Sequence, residues 1–225
     1  MILSAESVYK SFQSSPLPLE VLKGVSLSVE QGDTIAIVGR SGSGKSTLLS
    51  LLAGLDAPSQ GLIVVEGREW TQMSETEASQ MRSETMGLIF QQFHLLPHLT
   101  ARENITLPLE LLKKSNQSPE KIDQLLQSTG LSQRSHHYPN EMSRGECQRV
   151  AIARSLILEP KVLLADEPTA SLDDETSQSI GDLLFNLPKQ RGAALVIATH
   201  DIELARRCKK IFRMNHGRLT EAQDL

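Results

Sequence analysis

The sequence lacks a long run of apolar residues. Its richest apolar stretch, Thr47 to Leu55, falls well short of the roughly 20 residues that a transmembrane helix needs. The amino terminus, MILSAESVYK, also lacks the basic segment, apolar run and small-residue cleavage site of a secretory signal. We therefore expect a globular protein that stays in the cytoplasm and plays any membrane role through a partner.

Cysteine and net positive charge are also scarce. The two cysteines, Cys147 and Cys208, show neither the density of a disulfide scaffold nor the pairing of a metal site, which fits a reducing compartment. The 23 basic and 27 acidic side chains give a formal charge of −4. Because this balance does not attract phosphate backbones, we expect no nucleic-acid partner.

Short β-rich runs alternate with helical patterns along the chain. The strand and helix pairs are 35–38 with 45–53, 162–165 with 175–187, and 195–198 with 202–207. A further strand is predicted at 88–90, and the alternating stretch 20–29 predicts an antiparallel strand before the others. The pattern predicts an α/β fold in which an N-terminal antiparallel β layer precedes a mostly parallel core sheet.

Strand signals are absent between about 100 and 143. Thr100 with Glu103 predicts a capping box, and Ser118-Pro119-Glu120 predicts a second helix start after a polar connector at 113–117. We predict one domain, residues 1–225, with a helical subdomain inside it. The predicted boundaries are 1–90 and 159–225 for the catalytic core and 92–158 for the helical subdomain.

A phosphate-binding loop is predicted between the first parallel strand and its helix. The segment Gly39 to Thr47, GRSGSGKST, matches G-x-x-x-x-G-K-[ST] in the required strand–loop–helix context. Glycines let backbone N–H groups turn towards phosphate oxygens, and the helix N-terminus adds its positive dipole end. Lys45 would bind the β- and γ-phosphates, and Ser46 would ligate Mg²⁺. The predicted ATP-binding residues here are Gly39, Ser41, Gly42, Ser43, Gly44, Lys45, Ser46 and Thr47.

Two carboxylates follow a second apolar strand. Lys161 to Glu167 reads KVLLADE, so Asp166 and Glu167 come at the carboxyl edge of the predicted parallel sheet, where metal-assisted phosphoryl transfer requires them. Asp166 would hold Mg²⁺ or one of its waters. Glu167 would act as the general base towards the attacking water.

A histidine ends the next apolar strand. The run from Ala194 to Thr199 delivers His200 to the same sheet edge, where an imidazole can hydrogen-bond a γ-phosphate or a water. A histidine at a strand end is more often a neighbour of a helix cap, so this catalytic assignment depends on the other motifs.

The order of these motifs resembles that of the ATP-binding cassette (ABC) ATPases over nearly the whole chain. Between the phosphate loop and the carboxylates, Met142 to Glu146 reads MSRGE and is similar to the family signature LSGGQ. The sequences of segments 90–104, FQQFHLLPHLTAREN, and 165–169, ADEPT, are most similar to those of the lipoprotein-releasing and macrolide-exporter group.

The resemblance implies further site residues. Gln91 matches the glutamine that touches Mg²⁺ and the catalytic water, with Gln92 as the adjacent alternative. Asp173, in Ser171-Leu172-Asp173, matches a loop that crosses a dimer interface. Phe12 stands where the family places an aromatic residue on adenine, with Tyr9 as the alternative.

The resemblance also implies partners. In the family two cassettes close head to tail on two ATP molecules, each held between the phosphate loop of one subunit and the signature of the other. Ser143 and Gly145 would meet ATP in this way. We therefore expect ATP and Mg²⁺ as cofactors, a homodimer or a pair of like cassettes, and an integral membrane permease subunit that holds the protein at the cytoplasmic side of the inner or plasma membrane.

The signature departs from the family pattern at Arg144, which replaces glycine. Ser143 with Glu146 also fits a capping box, so this segment either starts a helix only or does so and contacts nucleotide as well. Two alternatives to a transport ATPase remain at this point: a soluble ABC ATPase, and an ATP-gated regulatory module that does not hydrolyse ATP.

Overall fold

The computed structural model describes residues 1–13, 17–113 and 119–222. The predicted cap at Ser118 and the connector residues 114–117 lie outside this part. The strands are β1 (Leu3–Phe12), β2 (Leu19–Val29), β3 (Thr34–Val38), β4 (Gln60–Val65), β5 (Arg68–Glu69), β6 (Met86–Ile89), β7 (Val162–Asp166), β8 (Ala194–Thr199), β9 (Lys210–Asn215) and β10 (Arg218–Glu221). The helices are α1 (Lys45–Leu52), α2 (Glu75–Thr85), α3 (Ala101–Leu111), α4 (Pro119–Ser128), α5 (Arg144–Leu156), α6 (Asp174–Gln190) and α7 (Ile202–Arg206).

An antiparallel sheet forms the first layer, in the order β2-β1-β4-β5. Along β2 every second residue from Val25 to Val29 is buried, which is the period-2 pattern of a half-buried strand. β1 pairs with both β2 and β4, so that Leu3 lies opposite Val29 on one side and Val65 on the other. The N-terminal antiparallel layer predicted from 20–29 is confirmed.

The second sheet has the order β10-β9-β3-β8-β7-β6 and is parallel except for β10. In its register Val38 pairs with Thr199, and Asp166 pairs with Ala198. The carboxyl ends of β3, β8 and β7 therefore lie side by side at one edge. This places the phosphate loop, the carboxylates and His200 in one region, and the predicted α/β class is confirmed.

Two apolar clusters lie on opposite faces of the parallel sheet. Ile35 and Ile37 of β3 face the cluster shared with the antiparallel sheet and α1, whereas Ala36 and Val38 face the cluster shared with α3 to α6. Burial on both faces explains why β3, β7 and β8 are nearly continuous apolar runs. Among the described residues no helix is long and apolar enough to cross a bilayer.

Capping boxes start the described helices α2, α3 and α5. The predicted capping box at Thr100 and Glu103 is present at the start of α3. α2 begins at a similar capping box, Ser74 with Glu77, which the sequence reading missed. α2 buries only Ala78 and Thr85 among its eleven residues, so it carries little of the apolar periodicity on which a helix prediction depends.

Candidate nucleotide-binding site

The phosphate loop joins β3 directly to α1. Gly42 and Gly44 have φ values of 76° and 108°, in the left-handed region that favours glycine. A Cβ at Gly39 would lie 2.4 Å from the carbonyl oxygen of Met214. The glycine spacing is therefore required both by backbone conformation and by close packing against β9, and it leaves backbone N–H groups at the N-terminus of α1.

Lys45 is the first residue of α1 and only 6% of it is exposed. Its Nζ donates a hydrogen bond to the carbonyl oxygen of Gly39 at 2.9 Å and lies 3.3 Å from Oε1 of Glu167. The ammonium group is thus held inside the loop, and it links β3 to the residue that follows β7.

Asp166 is the last residue of β7 and faces Ser46. Burial raises the pKa of the Asp166 carboxyl; the Ser46 hydrogen bond opposes this rise, Glu167 adds to it and Lys45 opposes it. Among the described residues, Oδ1 of Asp166 is buried and has no hydrogen-bond partner. A carboxylate oxygen in this position is poised to accept a cation or a donor from a ligand.

Glu167 has a strained backbone and a tightly held side chain. Its φ is 46°, which is uncommon for a residue other than glycine, and its N–H donates to the carbonyl oxygen of Ala198 at 2.8 Å. Oε2 lies 2.8 Å from Nδ1 of His200 and 3.2 Å from the His200 backbone nitrogen, which donates to it. The carboxylate is therefore fixed between Lys45 and His200, and its His200 partner is largely exposed to solvent.

Lys45, Glu167 and His200 line an open cleft of about 650 Å³, whereas Asp166 does not line it. The predicted residues that line it are Ser41, Gly42, Gly44, Lys45, Ser46, Thr47, Gln91, Glu167 and His200. Gln91 follows β6 and is exposed, whereas Gln92 does not line the cleft. Gly39 and Ser43 belong to the loop but not to the lining, and Oγ of Ser43 is buried without a partner in the described chain.

Three lining residues were missed by the sequence reading: Leu19, Val21 and Arg40. Arg40 occupies a position where the phosphate-loop motif accepts any residue. Leu19 and Val21 lie in β2; the sequence predicts a strand from residue 20 but gives no indication that it reaches the cleft. A contact between a strand of one sheet and a loop of the other has no local sequence signal.

Phe12 lies at the end of β1, beside the cleft rather than in its lining. Its backbone pairs with Leu19, which lines the cleft. The ring is about half exposed, and Nζ of Lys10 lies 5.0 Å from its centroid. Tyr9 lies three residues before Phe12 in β1, and its hydroxyl lies close to Gly24 instead.

The signature segment lies at the start of α5. Ser143 is the N-cap: its Oγ accepts a hydrogen bond from the Glu146 N–H at 3.2 Å, and its own N–H donates to Oε2 of Glu146 at 2.7 Å. The predicted capping box is thus present. Arg144 is exposed, whereas Gly145 is buried, and a Cβ there would lie 2.6 Å from Cγ2 of Thr176 in α6.

The charge of Glu146 is stabilised locally. The backbone N–H of Ser143 holds the pKa of the Glu146 carboxyl below its ordinary value; partial burial opposes this effect, and Arg134 reinforces it from 2.8 Å. Asp173 plays a similar part as the N-cap of α6, where Oδ1 accepts from the Thr176 N–H at 3.0 Å.

The structure therefore places the predicted site residues in two separate regions, the cleft around Lys45 and the signature segment. Ser143, Gly145 and Asp173 do not line the cleft around Lys45. They lie instead at the adjacent starts of α5 and α6, which touch where Gly145 meets Thr176.

Comparison with known proteins identifies the family. A family model described as "ABC transporter" matches residues 22–170. The chain is 44% identical over 220 residues to the lipoprotein-releasing system ATP-binding protein LolD of Legionella pneumophila (strain Lens), covering 97% of each chain. It is also 44% identical over 216 residues to LolD of Bdellovibrio bacteriovorus, covering 96% of this chain and 98% of that protein.

Solved structures match all or nearly all of this chain. A dimeric post-hydrolysis state of the ATP-binding cassette MJ0796, bound to ADP and Pi, aligns with a TM-score of 0.90 and 34% identity over 100% of both chains. CbiO1 from Clostridium perfringens, part of the ABC transporter complex cbiONQ, aligns with a TM-score of 0.82 and 31% identity over 97% of this chain and 86% of that one. The phosphate loop, the paired carboxylates and these matches together show that the chain belongs to the ABC transporter family, as one of its ATP-binding cassettes.

Proposed function

We propose that this cassette hydrolyses ATP with bound Mg²⁺ and that Glu167 is the general base. The observation that carries the proposal is the position of the Glu167 carboxylate, which is 13% exposed and held between Lys45 at 3.3 Å and His200 at 2.8 Å, at the phosphate-loop cleft. A base must lie within reach of the water that it activates. A carboxylate fixed beside a phosphate-binding lysine meets that requirement.

The residues present fit a magnesium ion. Oδ1 of Asp166 is buried and unpaired in the described chain, and the Asp166 side chain is hydrogen-bonded to Ser46. Ser46 lines the cleft, as does Gln91. Carboxylate, hydroxyl and amide oxygens are the ligands that Mg²⁺ prefers. When bound there, the ion would neutralise charge on the transferring phosphoryl group.

Side chains of the protein bind the phosphates, position the base and contact adenine. Lys45 binds the β- and γ-phosphates with its ammonium group, which the Gly39 carbonyl holds inside the loop. The phosphates compete with Glu167 for this ammonium group. Phosphate binding therefore frees Oε1 of Glu167 to accept a proton from water. His200 holds Oε2 and hydrogen-bonds the γ-phosphate or the water with its exposed ring. The ring of Phe12, adjacent in register to Leu19 of the cleft, stacks on adenine.

A second cassette completes the site. Ser143, Gly145 and Asp173 lie outside the cleft of their own chain, so we propose that they meet the ATP bound by another copy. The MJ0796 structures that this chain matches are dimeric. Segment 92–158 acts in this scheme as the helical subdomain that carries the signature, and 1–90 with 159–225 act as the catalytic core.

The membrane partner and cargo follow from the relatives. Two of the matched proteins are named as lipoprotein-releasing ATP-binding proteins. We therefore propose that two cassettes close on ATP at the cytoplasmic side of the inner membrane, that an integral membrane permease subunit receives this movement, and that the cargo is a lipoprotein.

Phosphate release from ATP by the purified chain, with Glu167→Gln beside the wild type, tests the enzyme proposal. The variant should lose turnover while it still binds ATP, and ATP should then drive it into a dimer that size-exclusion chromatography detects. Glu66→Gln is the matched control, because Glu66 also has a positive φ but pairs with Lys161 in the turn between β4 and β5. Unchanged hydrolysis in Glu167→Gln contradicts the assignment, and a wild type that binds ATP without hydrolysing it supports the regulatory alternative.

A further inference from the structure

Gln148 is a buried amide in α5 that reaches the segment behind Glu167. Only 1% of the residue is exposed, and its Nε2 donates a hydrogen bond to the carbonyl oxygen of Pro168 at 2.8 Å. Its Oε1 is buried and has no partner among the described residues. The side chain therefore makes one hydrogen bond to the loop and leaves its own acceptor unsatisfied.

This arrangement is costly for stability alone. A buried carbonyl oxygen without a donor carries its full desolvation cost, which can exceed what a single hydrogen bond returns. Methionine would fill nearly the same volume and remove the unsatisfied Oε1, but it would leave the Pro168 carbonyl without its donor. The specific contribution of the glutamine is therefore its hydrogen bond to the Pro168 carbonyl.

The bond fixes the backbone next to a strained residue. Glu167 has a φ of 46°, and its N–H is held by the Ala198 carbonyl of β8. On the other side of Glu167, the Pro168 carbonyl is held by Gln148. Strained backbone persists only where its surroundings over-determine it, and these two hydrogen bonds tie Glu167 to the sheet and to α5.

The same face of α5 also contacts the start of α6, which follows the loop after Glu167. Gly145 lies three residues before Gln148, which places both on one side of the helix, and it packs against Thr176 in the first turn of α6. α5 thus contacts the segment 167–176 near both of its ends. A shift of α5 would be transmitted to Glu167 through Gln148.

We propose that Gln148 is a positioning residue for Glu167, which it holds through the Pro168 carbonyl in the geometry that water activation needs. This proposal rests on the proposed role of Glu167 as the base. It makes the signature helix the element that sets where the base lies, because α5 carries both the exposed Ser143 and the buried Gln148.

Gln148→Met tests this proposal in an ATP hydrolysis assay with the purified chain. The variant keeps the volume and removes the donor. The kcat should fall on the order of tenfold, because a small misplacement of a catalytic group is enough for such a loss. The KM for ATP should stay within about twofold, because Gln148 does not line the cleft. The Tm should change little, because the loss of the unsatisfied Oε1 of Gln148 offsets the loss of the donor to the Pro168 carbonyl.

A purely structural role predicts a different pattern. It would lower the Tm and leave kcat per folded molecule unchanged, and that result overturns the proposal. Gln148→Leu provides a second variant without a donor, should the methionine variant fail to fold, and its kcat should fall as well. Thr129→Val is the control: its buried hydroxyl bonds only to carbonyls of its own helical segment, at Leu125 and Leu126, so it should change stability and not kcat.

The double variant Glu167→Gln with Gln148→Met separates this proposal from the one on which it rests. If Glu167→Gln abolishes turnover, adding Gln148→Met should neither lower the residual rate further nor weaken ATP binding, because both changes act through one group. A normal kcat in Gln148→Met beside an inactive Glu167→Gln overturns the role of Gln148 alone. Full activity in Glu167→Gln overturns both.

Discussion

The two regions of this cassette that we propose to contact nucleotide are built in different ways. The cleft region joins residues that are far apart in the sequence, since Lys45 contacts Glu167 and Glu167 contacts His200. The signature region is satisfied locally, because Ser143 bonds to Glu146 three residues later, and Asp173 to Thr176.

The difference bears on which region depends on a partner. Beside the cleft, Oδ1 of Asp166 is buried and unpaired among the described residues, so the fold leaves an acceptor for a cation or ligand. At the signature, the Ser143 oxygen and its backbone N–H are both paired with Glu146. The exposed surface of this cap fits the proposal that a second cassette brings the ligand to it.

The largest expected effect comes from breaking the cleft at Lys45. Lys45→Met removes the ammonium group that we propose binds the phosphates, so ATP affinity should fall on the order of a hundredfold, as expected for the loss of one partner of a buried charge pair. Nucleotide titration monitored by calorimetry measures this loss. Lys121→Met, which breaks the surface pair with Glu159, should bind ATP like the wild type; equal losses in the two variants would contradict a specific role for Lys45.

A smaller effect is expected at the signature surface. Ser143→Arg places a bulky side chain where the second cassette is proposed to close, so ATP-driven dimerisation of Glu167→Gln should weaken roughly tenfold or more. ATP binding by the single chain should be unchanged, and analytical ultracentrifugation separates the two. Ser74→Arg is the matched control, because Ser74 has the same capping box at the start of α2.

The control removes a helix cap at a cost of about 1 kcal/mol and should leave dimerisation intact. If Ser74→Arg and Ser143→Arg behave alike, or if the second still dimerises normally, the signature segment of this chain is a helix cap only.

Gly145 offers a test of how the signature is supported from within the chain. Its missing Cβ makes room for Cγ2 of Thr176, so Gly145→Ala should lower the free energy of unfolding by about 1 kcal/mol through overpacking. Thr176→Ser removes the clashing methyl group and keeps the hydroxyl that bonds to Asp173. The double variant should therefore recover most of the stability in denaturant unfolding, and an absence of recovery would show that Thr176 is not the group that requires glycine.

The sequence predicted the parts of this structure that have a local or periodic cause. The phosphate loop, the buried parallel strands and the caps at Thr100 and Ser143 each follow from a spacing of a few residues. Contacts set by tertiary structure had no such signal. Leu19 reaches the cleft from the other sheet, and the glycine at 145 is required by α6, whose Thr176 is 31 positions away in the chain.

Arg144 is the signature residue whose identity is explained neither by the contacts of the cleft nor by the local cap of α5. It is exposed at the first position of α5 and has no ion pair in the part of the chain that the structure describes. A cation at a helix N-terminus opposes the helix dipole by about 0.3–1 kcal/mol. Arg144→Ala should therefore stabilise the chain by roughly that amount in denaturant unfolding, and Arg206→Ala at the end of α7, where a cation is favourable, should not.

Arg144→Gly restores the glycine that the family signature has. Ser143 and Gly145 are unchanged in this variant, and the first of them still caps α5, so ATP hydrolysis should stay within about threefold of the wild type, a change of less than 1 kcal/mol in the barrier. Steady-state phosphate release measures it. A large gain would show that Arg144 resists closure of the two cassettes, and a large loss would show that its charge contacts the nucleotide; either result would move Arg144 from a tolerated substitution to a functional one.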